Sequence, residues 1–308
     1  MRRLVLILFT FLFCLRLSAE ELPESCWSGE SLNLRIALET GSNVDAVDDK
    51  GRTCLMVATV KQKYDVVALL IQRGARVNFA GPSDGITALH LAATNTDELL
   101  VRVLLEAGAE PNQVSERIKN LPGIAPLHLS VGSPAVTRLL LDAKASPDIK
   151  DSDGLTPLFY AVSAGNLESA EMLLQSGADP NLTSDKAASP LMLAANKGNV
   201  AMAELLLKNG ASVNAVQKSC GCTAFLYAAQ AGNTDVARLL ASKGADVQAV
   251  DNDGDNALTL PAGKGHADMV RLALELKLNR NHKNKTGQTA IDLARKNQHT
   301  EIVRLLQN

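Results

Sequence analysis

The chain has 308 residues, of which 46% are hydrophobic but only 3% aromatic, and its formal net charge is −2. A core with so few aromatic side chains must rely on leucine, alanine and valine, as in stacked pairs of helices. The mildly acidic balance lacks the basic surface that nucleic acid or anionic lipid selects, so neither is predicted as a partner.

The N-terminal sequence MRRLVLILFTFLFCL places basic residues before an apolar run of 12 residues, and Ala19 offers a small residue before an acidic stretch. This pattern predicts a secretory signal peptide over residues 1–19, cleaved after Ala19. An uncleaved signal anchor is the alternative, but a membrane span needs roughly 20 apolar residues and Arg16 interrupts the end of this run. Cleavage would change the formal charge from −2 to −5, because the segment carries three arginines and no acid.

Residues 20–30 are predicted to form a tether, and residues 31–50 a half-repeat that caps the N-terminal end. From residue 51 to residue 308, an opening of the type Gly-x-Thr-Pro-Leu recurs at steps of 34, 38, 31, 33, 34, 33 and 33 residues. The eight copies begin near residues 51, 85, 123, 154, 187, 221, 254 and 287. Such a period indicates a repeat architecture in which each unit buries its apolar face against its neighbours.

The unit that begins at Gly154 shows how one copy should fold. Thr156 is placed to cap the first helix, and Pro157 follows at the first helical position, where its missing N–H costs nothing. The sequence Ala-Gly-Asn at 164–166 then predicts a turn, a second apolar-faced helix follows, and Gly177 stops it. An extended finger leads to the next copy.

These openings, with Leu-His completing them at His90 and His128, resemble the ankyrin repeat, a β-turn followed by two helices. The resemblance covers nearly the whole chain after residue 50. It implies an all-α ankyrin-repeat solenoid of stacked helix-turn-helix units with β-turn fingers. It also implies that these two histidines are structural and hydrogen-bond loop backbone between repeats.

Three departures from the regular repeat stand out. The long finger, residues 110–123, accounts for the step of 38, and insertions in solenoids often lie on the binding side, although loops also gain length cheaply. The step of 31 indicates a shortened turn between helices within residues 127–134. Pro261 falls about five residues into a helix of the seventh repeat and should kink or shorten it.

No residue pattern points to catalysis or to a metal or cofactor. The histidines lack zinc-site spacing, and the acidic pairs recur before the opening glycine, where aspartate stabilises turns. The Asp251 segment begins like a calcium loop but lacks the glutamate at the twelfth position. Nucleophile-elbow, phosphate-loop and dinucleotide motifs are absent from the sequence. A non-enzymatic protein without cofactor is therefore expected.

Four cysteines remain after signal cleavage, and an exported chain favours disulfides. A bridge between Cys26 and Cys54 would staple the N-terminal end. Cys220 and Cys222 lie on a finger with one residue between them, and a bridge there would close a small, easily reduced ring. A redox or stress-protection factor of the cell envelope that uses this pair is one alternative function; free cysteines acting as small apolar fillers are the other interpretation.

The leading hypothesis is a monomeric protein-binding or scaffold module that uses its concave face and fingers. The periplasm is the expected location, with secretion second, and a secreted effector that acts on host proteins is a further alternative. By resemblance to the family, the predicted partner-binding residues lie in the fingers: Asp49, Lys50, Arg52, Ser83, Asp84, Arg117, Lys119, Asp151, Asp153, Lys218, Asp253 and Lys285.

Overall fold

The computed structural model describes residues 26, 31–82, 84–115, 123–184, 186 and 188–307. Within these residues the named secondary-structure elements are seventeen α-helices, and the β-pairing consists of isolated β-bridges in the fingers. The predicted all-α fold is therefore confirmed. The chain divides into two compact units, with the boundary between Ala145 and Ser146.

The first unit contains a capping helix followed by three helix pairs. Its helices are α1 (Ser31–Glu39), α2 (Cys54–Val60), α3 (Tyr64–Gln72), α4 (Ala88–Thr94), α5 (Glu98–Glu106), α6 (Pro126–Ser130) and α7 (Pro134–Asp142). Within each repeat the two helices pack antiparallel, and each first helix also packs on the first helix of the next repeat. The capping helix α1 packs on α3.

The second unit contains five helix pairs. Its helices are α8 (Pro157–Ala164), α9 (Leu167–Gln175), α10 (Pro190–Lys197), α11 (Val200–Lys208), α12 (Ala224–Ala231), α13 (Thr234–Ser242), α14 (Thr259–Lys264), α15 (Ala267–Glu275), α16 (Ala290–Lys296) and α17 (Thr300–Gln307). First helices again stack on first helices, and second helices on second helices. Hence each repeat buries apolar surface that it cannot cover alone.

Local sequence explains where the helices begin and end. Thr156 adopts an extended conformation before α8 and its hydroxyl accepts the Phe159 N–H at 3.4 Å, while Pro157 occupies the first helical position. Gly165 ends α8 in the left-handed conformation, and Gly177 follows α9 with φ of +93°. The capping and stop signals read from the sequence are therefore confirmed in this repeat.

The core consists of leucine, alanine and valine with few aromatic side chains. Fully buried leucines recur along the second helices, at Leu70, Leu104, Leu140, Leu173, Leu206 and Leu240. Small alanines such as Ala161 and Ala194 are equally buried on the first helices and allow neighbouring repeats to approach closely. Among the described residues, no helix is long and apolar enough to cross a membrane.

The shortening predicted at Pro261 is present. Helix α14 has six residues, whereas α8, α10 and α12 have eight, because Pro261 has no N–H to donate to the preceding turn. The shortened turn predicted within residues 127–134 is wrong: residues 131–133 form a turn as long as those of the first two repeats, and α6 itself is shortened to five residues. The Ser130 carbonyl at its end accepts the Thr137 hydroxyl at 3.0 Å. The tip of the long finger, 116–122, lies outside the described residues.

Candidate protein-binding surface

The finger that leads into the fourth repeat is built around a turn whose first side chain points inward. Asp151 is buried, and its Oδ1 accepts the N–H groups of Asp153 and Leu155 at 2.9 and 2.8 Å. Its Oδ2 accepts the Tyr160 hydroxyl at 2.7 Å. Asp151 thus holds the turn together, and its carboxylate is not offered to a partner. The residues that follow it, including Asp153, are exposed.

The corresponding turns of the first unit place only some of the predicted residues outside. Asp49 and Lys50 are exposed and line a depression of about 440 Å³ beside Pro82. Arg52 instead pairs with Asp48, with Nη2 2.7 Å from Oδ2. The Asp84 carboxylate accepts the Ile86 N–H at 3.0 Å and so closes its own turn. Ser83, Arg117 and Lys119 lie outside the described residues.

In the second unit, exposed charged side chains occupy five successive finger tips. We call this set the finger-tip row: Asp153, Lys186, Lys218, Asp253 and Lys285. Lys186 was not among the residues selected from the sequence, although its place before the fifth repeat gives the same signal. Val216 and Val250 add apolar surface beside the row, with 55% and 46% of their area exposed.

Hydrogen bonds join neighbouring fingers beneath this row. The Gln217 side-chain amide donates to the Lys186 carbonyl at 2.6 Å. The backbone N–H of Asn252 donates to the Cys220 carbonyl at 2.7 Å, and that of Lys285 donates to the Asp253 carbonyl at 2.9 Å. The charged tips are therefore presented on backbone that is fixed relative to its neighbours.

The pKa of the turn carboxylate is shifted in opposite directions in the first and seventh repeats. Burial would raise the pKa of Asp48, but hydrogen bonds and the positive charge of Arg52 outweigh it and lower that pKa below its usual range. In the seventh repeat, Asp255 stands where Arg52 stands in the first. Burial raises the pKa of Asp251, and the like charges of Asp255 and Asp253 add to that effect.

The histidines are engaged inside the repeats. His90 accepts the Thr87 N–H at Nδ1 (3.2 Å), so Nε2 carries the proton that is donated to the Ile124 carbonyl at 3.0 Å. This contact to the next repeat confirms the structural role implied for His90, and burial lowers its pKa to about 4. His282 bonds the Gly254 carbonyl at 2.7 Å. No cluster of three potential metal ligands occurs in the part of the chain that the structure describes.

A second depression, of about 560 Å³, lies along the second helices of the second unit. Four of its charged side chains are already paired: Arg238 with Glu275 at 2.8 Å, and Arg271 with Asp268 as well as with Glu301 outside the depression. A partner would have to displace these pairs to use their charges. The finger-tip row is therefore the better-presented charged surface.

The four described cysteines form two pairs. Cys26 is bonded to Cys54, which begins α2, and their Cα atoms lie 5.5 Å apart. Cys220 is bonded to Cys222 within one finger, with 5.2 Å between the Cα atoms.

Comparisons with known proteins match the repeats seen in the structure. The family model for ankyrin repeats, which spans three copies, matches residues 25–115, 113–184, 181–251 and 248–308. Ankyrin repeat and SOCS box protein 3 of Homo sapiens is 32% identical over 169 residues, which cover 44% of this chain and 33% of that protein. An ankyrin repeat-containing protein of Treponema pallidum (strain Nichols) is 32% identical over 130 residues, 42% of each chain.

An ankyrin repeat protein of Fowlpox virus (strain NVSL) is 38% identical over 123 residues, which cover 38% of this chain and 35% of the viral protein. The chain thus spans less than half the length of each of these relatives. The family model, by contrast, covers nearly all of the chain after residue 25. The chain belongs to the ankyrin-repeat family.

Proposed function

We propose that this chain is a non-enzymatic protein-binding module whose partner contacts the finger-tip row of the second unit. Ankyrin repeats are protein–protein interaction modules, which gives the general class of function. Repeat arrays bind through the extended surfaces that their stacked units create. The choice of this row as the binding surface depends on the hydrogen bonds that fix the backbone beneath the charged tips.

The observation that carries the proposal is the combination of exposed charge and fixed backbone. Asp153 projects from a turn closed by the hydrogen bonds of Asp151, and three interfinger bonds hold the four fingers from Lys186 to Lys285 in register. Binding therefore orders few additional groups, and ordering is one of the main costs of association. The second depression, by comparison, offers charges that are already paired.

The chemistry of the row describes the partner it fits. Two aspartates and three lysines occupy the tips in the order Asp, Lys, Lys, Asp, Lys, with the exposed Val216 and Val250 beside them. The best complement is a protein segment that carries both signs of charge and a few aliphatic side chains. Charge complementarity of this kind mainly sets specificity and the rate of association.

We also propose that the protein is exported, on the strength of the signal-peptide pattern in residues 1–19. The periplasm is the first location to test and the medium the second; a protein found inside a host cell would favour an effector. Fractionation with N-terminal sequencing of the mature chain tests this proposal. A chain that begins at Glu20 in the periplasmic fraction supports it, and a full-length chain in the cytosol contradicts it.

Crosslinking tests the surface. The bait is wild-type protein, compared with a triple variant that reverses charges in the row (Lys218→Glu, Asp253→Lys, Lys285→Glu). A matched control reverses three exposed charges on second helices or at their ends (Lys208→Glu, Glu171→Lys, Lys243→Glu), so that net charge changes equally. A partner captured by wild type and control but lost with the row variant supports the proposal. Equal capture by all three contradicts it.

A further inference from the structure

The finger that carries Lys218 also carries the bonded pair Cys220 and Cys222, which the binding function does not use. We propose that this pair is a thiol–disulfide exchange site that is reduced by dithiols while the chain stays folded. The inference is independent of the binding proposal, since it depends on the accessibility and local chemistry of the two sulfur atoms.

The two disulfides of the chain differ in accessibility. Cys26 and Cys54 are buried, with 0% and 1% of their areas exposed, and their bridge spans 28 positions of the sequence. Cys220 and Cys222 are partly exposed and only two positions apart, on a finger. A thiolate can approach the second pair without any repeat opening, whereas the first pair must be uncovered. Exposed disulfides are the labile ones in proteins.

The finger keeps its shape without help from the sulfur atoms. The Gln217 N–H donates to the Cys222 carbonyl at 2.8 Å, and the Gly221 N–H donates to the Gln217 carbonyl at 2.8 Å. Thr223 then caps α12 by accepting the Leu226 N–H at 3.3 Å. Breaking the sulfur–sulfur bond leaves all three contacts in place, so reduction does not require unfolding.

The surroundings indicate which sulfur leaves. The Cys222 N–H donates to Cys220 Sγ at 3.3 Å. A hydrogen-bond donor stabilises a thiolate, and a better-stabilised thiolate leaves faster. Attack is therefore directed at Cys222 Sγ, with Cys220 Sγ as the leaving group.

The exchange balances as follows. A thiolate of the dithiol attacks Cys222 Sγ; the bond between the two protein sulfurs breaks, and Cys220 leaves as a thiolate that takes up a proton. The second thiolate of the dithiol then attacks its own sulfur in the mixed disulfide, and Cys222 leaves as a thiolate. Two electrons pass to the protein, two protons are taken up, and the dithiol becomes a disulfide.

The test uses the whole folded protein and dithiothreitol. After increasing times with the reductant, free thiols are alkylated with N-ethylmaleimide and located by peptide mass spectrometry. We expect Cys220 and Cys222 to be labelled roughly 100-fold faster than Cys26 and Cys54, since buried bridges react only through local opening. In the Cys220→Ser variant, Cys222 should be labelled before any reductant is added.

A second experiment identifies the sulfur atom that is attacked first. The protein is treated with the monothiol 2-mercaptoethanol, and the reaction is quenched with acid so that the mixed disulfide can be located. A mixed disulfide on Cys222 supports the assigned direction, and one confined to Cys220 overturns it. The exchange site itself is overturned if both bridges are reduced at the same rate, or if Cys220 and Cys222 resist until denaturant is added. Labelling of both in the untreated wild type would also overturn it, because the site would then hold no disulfide.

Discussion

The two units build the corner between the helices of a repeat in different ways. In the first unit, Gln62 and Thr96 occupy the corner with φ of +53° and +54°, a region that costs a non-glycine residue roughly 1–2 kcal/mol. In the second unit, glycines take that position in the first four repeats, at Gly165, Gly198, Gly232 and Gly265, and Gln298 takes it in the last with φ of +62°. A glycine removes this strain and also leaves space for the neighbouring repeat.

The space is used. A Cβ at Gly232 would lie 2.7 Å from the ring of His266, which immediately precedes the second helix of the next repeat. In the first unit the corner residue contributes a side chain instead, since the Gln62 amide donates to the Asp97 carboxylate of the next repeat at 2.9 Å. At Gly232 the corner therefore allows a close approach of the next repeat, whereas at Gln62 the corner side chain bonds to it.

The largest effect is expected from closing the space in the second unit. Gly232→Ala combines the left-handed φ of +76° with a steric clash against the His266 ring. We expect it to lower the free energy of unfolding by about 3 kcal/mol, measured by urea denaturation followed by circular dichroism. Gly210→Ala is the matched control, because φ is +88° there and nothing lies within 4 Å of the added Cβ. The control should lower the free energy of unfolding by only about 1 kcal/mol. Equal losses in the two variants would show that the close approach at Gly232 does not affect stability.

The second-largest effect is expected from acid, which should destabilise the first unit through His90. His90 of the first unit has a pKa of about 4, whereas the same position holds Phe159, Met192 or Leu226 in the second. The unfolded chain takes up a proton near pH 6.5 and the folded chain does not, so stability is lost as pH falls through this window and levels off below about 4. The expected loss between pH 8 and pH 5 is about 2 kcal/mol.

His90→Met isolates this contribution. Methionine occupies the same position at Met56 and Met192, where its sulfur accepts the N–H of the capping residue at 3.3 and 3.4 Å. The variant loses the bond to Ile124 and should be less stable at pH 8, but its stability should depend less on pH between 8 and 5. An unchanged pH dependence would mean that His90 is not the group that titrates.

The smallest effect is a gain of stability. Thr96 is β-branched, exposed and left-handed, so Thr96→Gly relieves backbone strain while it removes little packing. Glycine also loses more conformational freedom on folding, which offsets part of the gain. We expect a net stabilisation of about 0.5–1 kcal/mol in urea denaturation. A loss of stability would show that the first-unit corner is not strained.

The sequence predicted the parts of the fold that depend on local signals. The repeat period, the caps at Thr156 and Pro157 and the shortening at Pro261 all follow from the chemistry of a few neighbouring residues. The candidate surface was harder to predict, because the orientation of a finger side chain depends on its turn. Asp151 and Asp153 are two positions apart, yet one is buried and the other exposed.

Other predicted binding residues are unavailable to a partner because of the conformation of their turns. Arg52 and Asp84 are engaged within their own turns, which requires the backbone geometry to recognise. Val216 and Val250 were not selected from the sequence, because a valine in a finger gives no signal of exposure. The residue that follows Val250 is Asp251, and its carboxylate accepts the hydrogen bonds that close the turn. The hydrogen bonds between fingers join residues about thirty positions apart, a distance at which local sequence carries no information.

The affinity for the captured partner is the most direct test of the finger-tip row. The dissociation constant would be measured for the wild type, the row variant (Lys218→Glu, Asp253→Lys, Lys285→Glu) and the second-helix control, once circular dichroism has shown equal folding. We expect the row variant to bind at least about tenfold more weakly, with the loss greatest at low salt, and the control to match the wild type. Equal affinities for the row variant and the wild type would contradict the proposed binding surface.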